Sequence, residues 1–198
     1  MLSPLSLKKC CTMKYKIINE GDSMQEWLVR ENVKLKIVDP KDAESLYEQI
    51  EKTRPQLAKF MPWGESTKSV AGERAFLEYC QDRMAAKKLW NASIWINGHP
   101  VGMIDLHNID LNNKHAEVGY WLGGEFQGNG VMTDCLKKLL EIGFDELGLH
   151  KIKLMAEEVN LASNAVAKKV GFQLEGTLKD EIFSAGKYHD ASLYGLVK

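Results

Sequence analysis

A chain of 198 residues with 44% hydrophobic content is long enough for one well-buried core and too short to divide securely into two. Its 26 basic and 27 acidic residues nearly cancel, leaving no global field to draw in nucleic acid or an anionic membrane. Direct nucleic-acid binding and membrane attachment are therefore not expected. The four cysteines, Cys10, Cys11, Cys80 and Cys135, lack metal-ligand spacing, and the adjacent pair cannot reach ordinary disulfide geometry, so free thiols in a reducing cytoplasm are the simplest reading.

Residues 1–25 read as an N-terminal arm of weak periodicity, ahead of a single domain at 26–198. Leu2, Leu5 and Leu7 are interrupted by Pro4 and followed by Lys8 and Lys9, which is not the continuous apolar stretch of a signal peptide. A cytoplasmic location is expected. Val33 to Val38 alternates apolar and basic residues as a half-buried strand does. Asp39 and Pro40 then open a helix in which Asp42, Ala43, Leu46, Tyr47 and Ile50 recur at helical spacing. The segment Gln56 to Gly64 carries large apolar groups without a clean period. A second helix is expected from Val70 to about Lys88, then strands over Trp90 to Ile96, Pro100 to Leu106 and Ala116 to Leu122, with Asn97-Gly98 as a hairpin turn. A helix from Val131 to Leu147, a strand from Lys151 to Ala156, a short helix from Ala162 to Val170, and strands at Phe172 to Leu174 and Ala191 to Val197 complete the pattern. It describes an α+β chain, with a mixed, mostly antiparallel twisted sheet of about seven strands flanked by about four helices.

The most informative stretch is the strand Glu117 to Leu122, followed by Gly123-Gly124-Glu125-Phe126 and then Gln127-Gly128-Asn129-Gly130-Val131-Met132-Thr133. A glycine-rich loop that opens directly into a helix presents unpaired N–H groups at the positive end of the helix dipole, which makes a seat for phosphate. Neither the Gly-Lys-Ser/Thr loop nor the G-x-G-x-x-G loop is present. Gln127 to Met132 instead resembles the Gln/Arg-x-x-Gly-x-Gly/Ala pattern of the GNAT superfamily of N-acetyltransferases. Met132 departs from its last position in a way typical of the ribosomal-protein N-terminal acetyltransferases of the RimJ/RimL branch. A second match, Asn160 and Ser163 followed by Gly171-Phe172-Gln173-Leu174-Glu175-Gly176, is similar to the same branch. The resemblance covers roughly residues 30–197 and implies the GNAT fold.

The resemblance also implies roles. Acetyl-CoA would be the cosubstrate, its diphosphate held by the backbone of Gln127, Gly128, Asn129, Gly130, Val131, Met132 and Thr133. Tyr120, Trp121 and Leu122 would lie where the strand leaves its neighbour at a bulge, their free N–H and C=O groups pairing with the pantetheine arm. Glu117 is the first candidate for taking the amine's proton, in a partly dry setting that would raise its pKa, although it could equally be a structural partner of a Lys or Arg. Glu181 is the alternative, with Ile182 falling where some relatives carry Glu. Ser163 would donate to the departing thiolate, and Asn160 would bond the pantetheine arm or hold the loop; both residues also suit a helix cap. Tyr188 and Tyr194 are further hydroxyls that more often belong to a core.

Lys137, Lys138, Lys168 and Lys169 could meet the cofactor's 3′-phosphate or only solvate helix faces. The five histidines share no ligand spacing, so no metal is expected. The acceptor side would be built from Phe60, Met61, Trp63 and the hairpin from His107 to Asn113. An apolar lip suits a protein N-terminus such as that of a ribosomal protein. A small amine (polyamine or antibiotic) and non-catalytic acyl-CoA binding are the alternatives, and relatives of this kind often pair as homodimers.

Overall fold

The alternation read from Val33 to Val38 builds the strand Val33–Ile37 (β2), with Val33 and Leu35 buried and Lys34 and Lys36 partly exposed. A computed structural model of the chain describes residues 25–184 and 186–198. All of the expected arm except Gln25 lies outside them, as do Cys10 and Cys11. β2 pairs antiparallel with an earlier strand, Glu26–Arg30 (β1), which is absent from the sequence reading. Five residues at a sheet edge, none fully buried, are too few to display a period. β1 is held by packing instead: Trp27 sits edge-on to Trp90 with ring centroids 5.3 Å apart.

The Asp39 carboxylate accepts from the Lys41 N–H and starts the chain into Ala43–Phe60 (α1). α1 continues ten residues beyond Ile50, through Pro55, where no helical period was legible. Proline removes one helical bond, but Thr53 and Leu57 on either side are buried and keep the helix docked. Arg54 then donates to the carbonyls of Gly64 and Thr67, tying the α1–α2 connection down onto α1. Val70–Ala85 (α2) follows, capped by Ser69.

Trp90–Ile96 (β3) and His99–Asp110 (β4) form the expected hairpin, with Asn97 and Gly98 at φ 51° and 86°, the conformation that Asn-Gly favours in a two-residue turn. His115–Leu122 (β5), Val131–Glu141 (α3), a π turn at Ile142–Glu146, Lys151–Glu157 (β6) and Leu161–Lys169 (α4) come next. Gln173–Ser184 (β7) and Lys187–Val197 (β8) are much longer than the sequence reading allowed. β7 is an edge strand with almost no buried side chain, so hydrophobic alternation is missing and backbone pairing with β8 alone defines it.

Among the described residues there are thus eight strands, in the order β1-β2-β3-β4-β5-β6-β8-β7, with β5–β6 as the one parallel pair. Neighbouring residues of one strand point to opposite faces, so Met103 and Trp121 join α1 and α2 in one core, while Ile104 and Leu122 join α3 and α4 in another. No helix of the described residues is long and apolar enough to cross a membrane.

The approach of β4 to β5 is close enough to require glycine at 102. A Cβ there would stand 2.4 Å from the Trp121 carbonyl oxygen and 2.9 Å from the Leu122 Cα, both main-chain atoms that cannot swing aside. Gly102→Ala is expected to destabilise the protein by about 3 kcal/mol, read as a lower urea midpoint at an unchanged slope. A midpoint equal to that of the parent protein would overturn this account of the strand contact.

Candidate active site

Gly123 and Gly124 leave β5 under tight control. The Gly123 N–H donates to the Val101 carbonyl at 2.8 Å, the Gly124 N–H donates to Thr53 Oγ1 at 2.8 Å, and the Gln127 side-chain amide donates to the Leu122 carbonyl at 2.8 Å. Gly128 and Gly130 then take φ of 81° and 74°, a left-handed conformation that glycine adopts without strain, and a Cβ on either would meet nothing within 4 Å. Gly130 is the N-cap of α3 and has no side chain to offer the helix. The N–H groups of residues 128–133 consequently have no acceptor among the described residues. A row of open donors at a helix start, lined by backbone and hydrogen, is what a diphosphate requires.

Val131 and Met132 turn their side chains into the core, so their contribution to this row is made by the main chain. Arg30, which the sequence reading did not single out, braces the loop from β1. Its guanidinium donates to Asp134 Oδ2 at 2.8 Å and to the Asn129 carbonyl at 3.3 Å. Of the four lysines weighed for the 3′-phosphate, Lys138 is engaged by Glu141.

Beside the loop the sheet opens. β5 and β6 pair only from His115↔Lys151 to Val118↔Leu154, yet β5 runs on to Leu122 and β6 to Glu157. From Glu117 to Leu122 the ladder with β4 runs without a register shift, so the expected bulge is corrected to a simple divergence of β6 from β5. Each strand keeps its outer partner, β4 for β5 and β8 for β6, which holds the two lips of the gap rigid. Tyr120, on the part of β5 beyond the last pair, meets Ser163 at the start of α4 with Oη and Oγ 2.8 Å apart. Burial pushes the Tyr120 phenol up from its ordinary pKa, against the pull of that hydrogen bond.

Asn160 uses its side-chain oxygen to accept the Ser163 N–H at 3.2 Å, so the cap reading of Asn160 is the one the geometry carries. Asn164, missed in the sequence, anchors the same turn. It donates to the Glu157 and Asn160 carbonyls and accepts from the Tyr194 hydroxyl at 2.8 Å, with Tyr194 itself in the core.

Glu117 lies on the other face of β5, among side chains that also line the α1–α2 side. His107 stands opposite it in the ladder, with Nε2 3.6 Å from Glu117 Oε1, and Asn108 donates to Glu117 Oε2 at 3.4 Å. The His107 Nδ1 is 2.7 Å from Asp105 Oδ1. Burial alone would lower the pKa of this imidazole, but the two carboxylates override it and hold the value up at about 10. The same contact with His107 lowers the pKa of Glu117, against the effect of burial. The expectation of a raised Glu117 pKa is therefore corrected: the site is partly dry, but it contains a cation. His107, expected as an acceptor contact, is a partner of Glu117.

Trp63 packs edge-on against Trp121, ring centroids 6.0 Å apart, and so joins the α1–α2 connection to β5 on the Glu117 face. Phe60 ends α1 half-buried, with the Lys59 ammonium 5.1 Å from its ring centroid. Glu181 is exposed on β7 and no partner among the described residues holds its carboxylate, so the structure does not tie it to the Glu117 cluster. Tyr188 is exposed and pairs with Phe183. Among the described residues, no cluster of His, Cys, Asp and Glu could hold a metal ion.

Donors for a diphosphate, a gap between strands at its side and a hydroxyl pair at that gap fit a long phosphorylated carrier whose far end reaches into the sheet. The protein is thus of the class that transfers a group from such a carrier. A family model of the acetyltransferase (GNAT) domain matches residues 32–173. The chain is 34% identical to the putative ribosomal N-acetyltransferase YdaF of Bacillus subtilis, over 86% of this chain and 93% of that one. It is 29% identical to the ribosomal-protein-serine acetyltransferase of Escherichia coli, over 85% of this chain and 94% of that one. The solved structure of the ribosomal alpha-N-protein acetyltransferase RimL in complex with coenzyme A superposes with a TM-score of 0.85 at 25% identity, covering 87% of this chain and 98% of that one. The chain belongs to the GNAT acetyltransferase family. It is an acetyl-CoA-dependent N-acetyltransferase.

Proposed function

We propose that this enzyme acetylates the α-amine of a protein N-terminus, such as that of a ribosomal protein, in the cytoplasm. The observation that carries the reading is the division of labour across β5: Tyr120 and Ser163 lie on one face and Glu117 on the other, with the parted strands between them. Bound acetyl-CoA supplies the thioester. The N–H row of residues 128–133 binds its diphosphate, and the unpaired edge of β5 from Gly119 to Leu122 offers main-chain groups to the pantetheine arm. The Ser163 hydroxyl donates a hydrogen bond to the leaving thiolate, steadied by Tyr120, and the thiolate then takes its proton from water, while Asn160 keeps the turn that carries Ser163 in place. Glu117, on the acceptor side, receives the proton of the attacking amine directly or through water. This arrangement supports direct attack with both substrates bound.

A carboxylate whose pKa is lowered is a weak base, and that favours an acceptor that gives up its proton readily. An α-amine, with a pKa near 8, is about 3 kcal/mol easier to deprotonate at neutral pH than a lysine side chain. The aromatic lip of Trp63 and Trp121 suits the first side chains of a peptide. Likeness to the two ribosomal-protein acetyltransferases along most of their length supports the same reading. The test is thiol release from acetyl-CoA with peptides bearing Ser or Ala ends, run beside polyamines and aminoglycosides. Peptide turnover is expected; turnover of the small amines alone overturns the proposal.

A further inference from the structure

The group on the acceptor side is not Glu117 alone. β4 and β5 bring Asp105, His107 and Glu117 into one line, with His107 opposite Glu117 and Asp105 opposite Gly119. Asp105 is the inner end, less exposed than His107, and it reaches the histidine at 2.7 Å. Glycine at 119 leaves room for the line. A Cβ there would stand 2.9 Å from Asp105 Oδ2 and 3.3 Å from His107 Cε1, in the space the pair occupies. The charges facing this line come from several elements. Lys153 of β6 stands beside Glu117 in the ladder and attracts it, and Cys80 of α2 lies close enough to Asp105 to feel its charge, with Glu73 of the same helix beyond. Asn91 of β3 is opposite Asp105 and donates to the Cys80 sulfur instead. Among the described residues, His107 is the one basic side chain in contact with both carboxylates.

We propose that Asp105 is a positioning residue for acetyl transfer: by orienting His107 and keeping it charged, it holds Glu117 in place as an ionised carboxylate ready for the acceptor amine. This rests on the reading of Glu117 as the group that takes the amine's proton. Without Asp105 the imidazole is free to turn and to lose its proton, and Glu117 loses its nearest counter-ion and keeps only Asn108 and Lys153 to direct it. The chain Asp105 to His107 to Glu117 then acts as a unit, in which Asp105 works through His107.

Four full-length proteins decide it: the parent, Asp105→Asn, His107→Gln and Glu117→Gln. Nuclear magnetic resonance titration of the histidine ring nitrogens is expected to find His107 charged up to about pH 10 in the parent. In Asp105→Asn its midpoint falls by at least one pH unit toward the ordinary histidine value. Steady-state kinetics with acetyl-CoA and the best acceptor is expected to give about tenfold lower kcat for both Asp105→Asn and His107→Gln, with the dissociation constant for CoA unchanged. The acid limb of their pH profiles moves upward as Glu117 loses its cation. A parent His107 that titrates in the ordinary range overturns the proposal. So does a normal kcat and acid limb in both variants, whatever the histidine titration does. If Glu117→Gln turns over at the parent rate, the reading of Glu117 falls by itself, while the histidine titrations still report whether Asp105 holds His107.

Discussion

Ser163→Ala is expected to lower kcat about 10²-fold while leaving the dissociation constant for CoA within about twofold of the parent value. The separation follows from where each atom of Ser163 is used. Its main-chain N–H is held by the Asn160 side chain, and alanine keeps that bond, so the start of α4 survives. What disappears is the hydroxyl that faces Tyr120 across 2.8 Å at the mouth of the gap. Tyr120→Phe keeps the ring in the core against α3 and α4 and removes only the partner of that hydroxyl. Its kcat is expected to fall by about tenfold, because Ser163 keeps its proton but loses its orientation. Since both changes damage one hydrogen-bonded pair, the double variant should be scarcely slower than Ser163→Ala. Additive losses, or a Ser163→Ala enzyme with full kcat, would remove Ser163 as the donor to sulfur.

Glu73→Gln is expected to stabilise the folded protein by about 3 kcal/mol at pH 8.5 and to change little at pH 4. Glu73 is 2% exposed on the inner side of α2, and its Oε1 has no hydrogen-bond partner among the described residues. Burial pushes its pKa up from 4.5 to about 7. At about 1.4 kcal/mol for each pH unit, the charged form is disfavoured by on the order of 3 kcal/mol relative to the unfolded chain. Between pH 4.5 and 7 the folded state therefore binds more protons than the unfolded state, and stability declines as the pH rises through that window. The glutamine variant carries no such proton and should lack this part of the decline. Urea unfolding at pH 4, 6 and 8.5 measures the difference; parallel curves for the two proteins would mean that Glu73 finds a partner when charged.

Local chemistry announced the loop and its neighbours. Glycines at 128 and 130, the apolar period of α3 and the Asn-Gly turn act within a few residues, so they could be read directly. Asn160 and Ser163 were likewise legible, although their types alone could not separate a capping role from a chemical one. The edge strands β1 and β7 were hidden because they bury too little to show alternation. Arg30 and Asn164 were overlooked because nothing about either residue marks it until distant segments arrive beside it.

The behaviour of Glu117 illustrates the same limit in electrostatic terms. Strand alternation correctly put its carboxylate on the face away from Val118 and Tyr120, and partial burial was a fair expectation for a sheet with helices over it. The direction of its pKa shift, however, depends on a charge ten residues away that register alone brings opposite it. Family, fold and the phosphate seat were thus written in short-range pattern. Which side chains face each other across the parted strands, and with what charge, emerged only when the sheet assembled, because pairing distances and dielectric surroundings belong to the packed chain and to no segment of it.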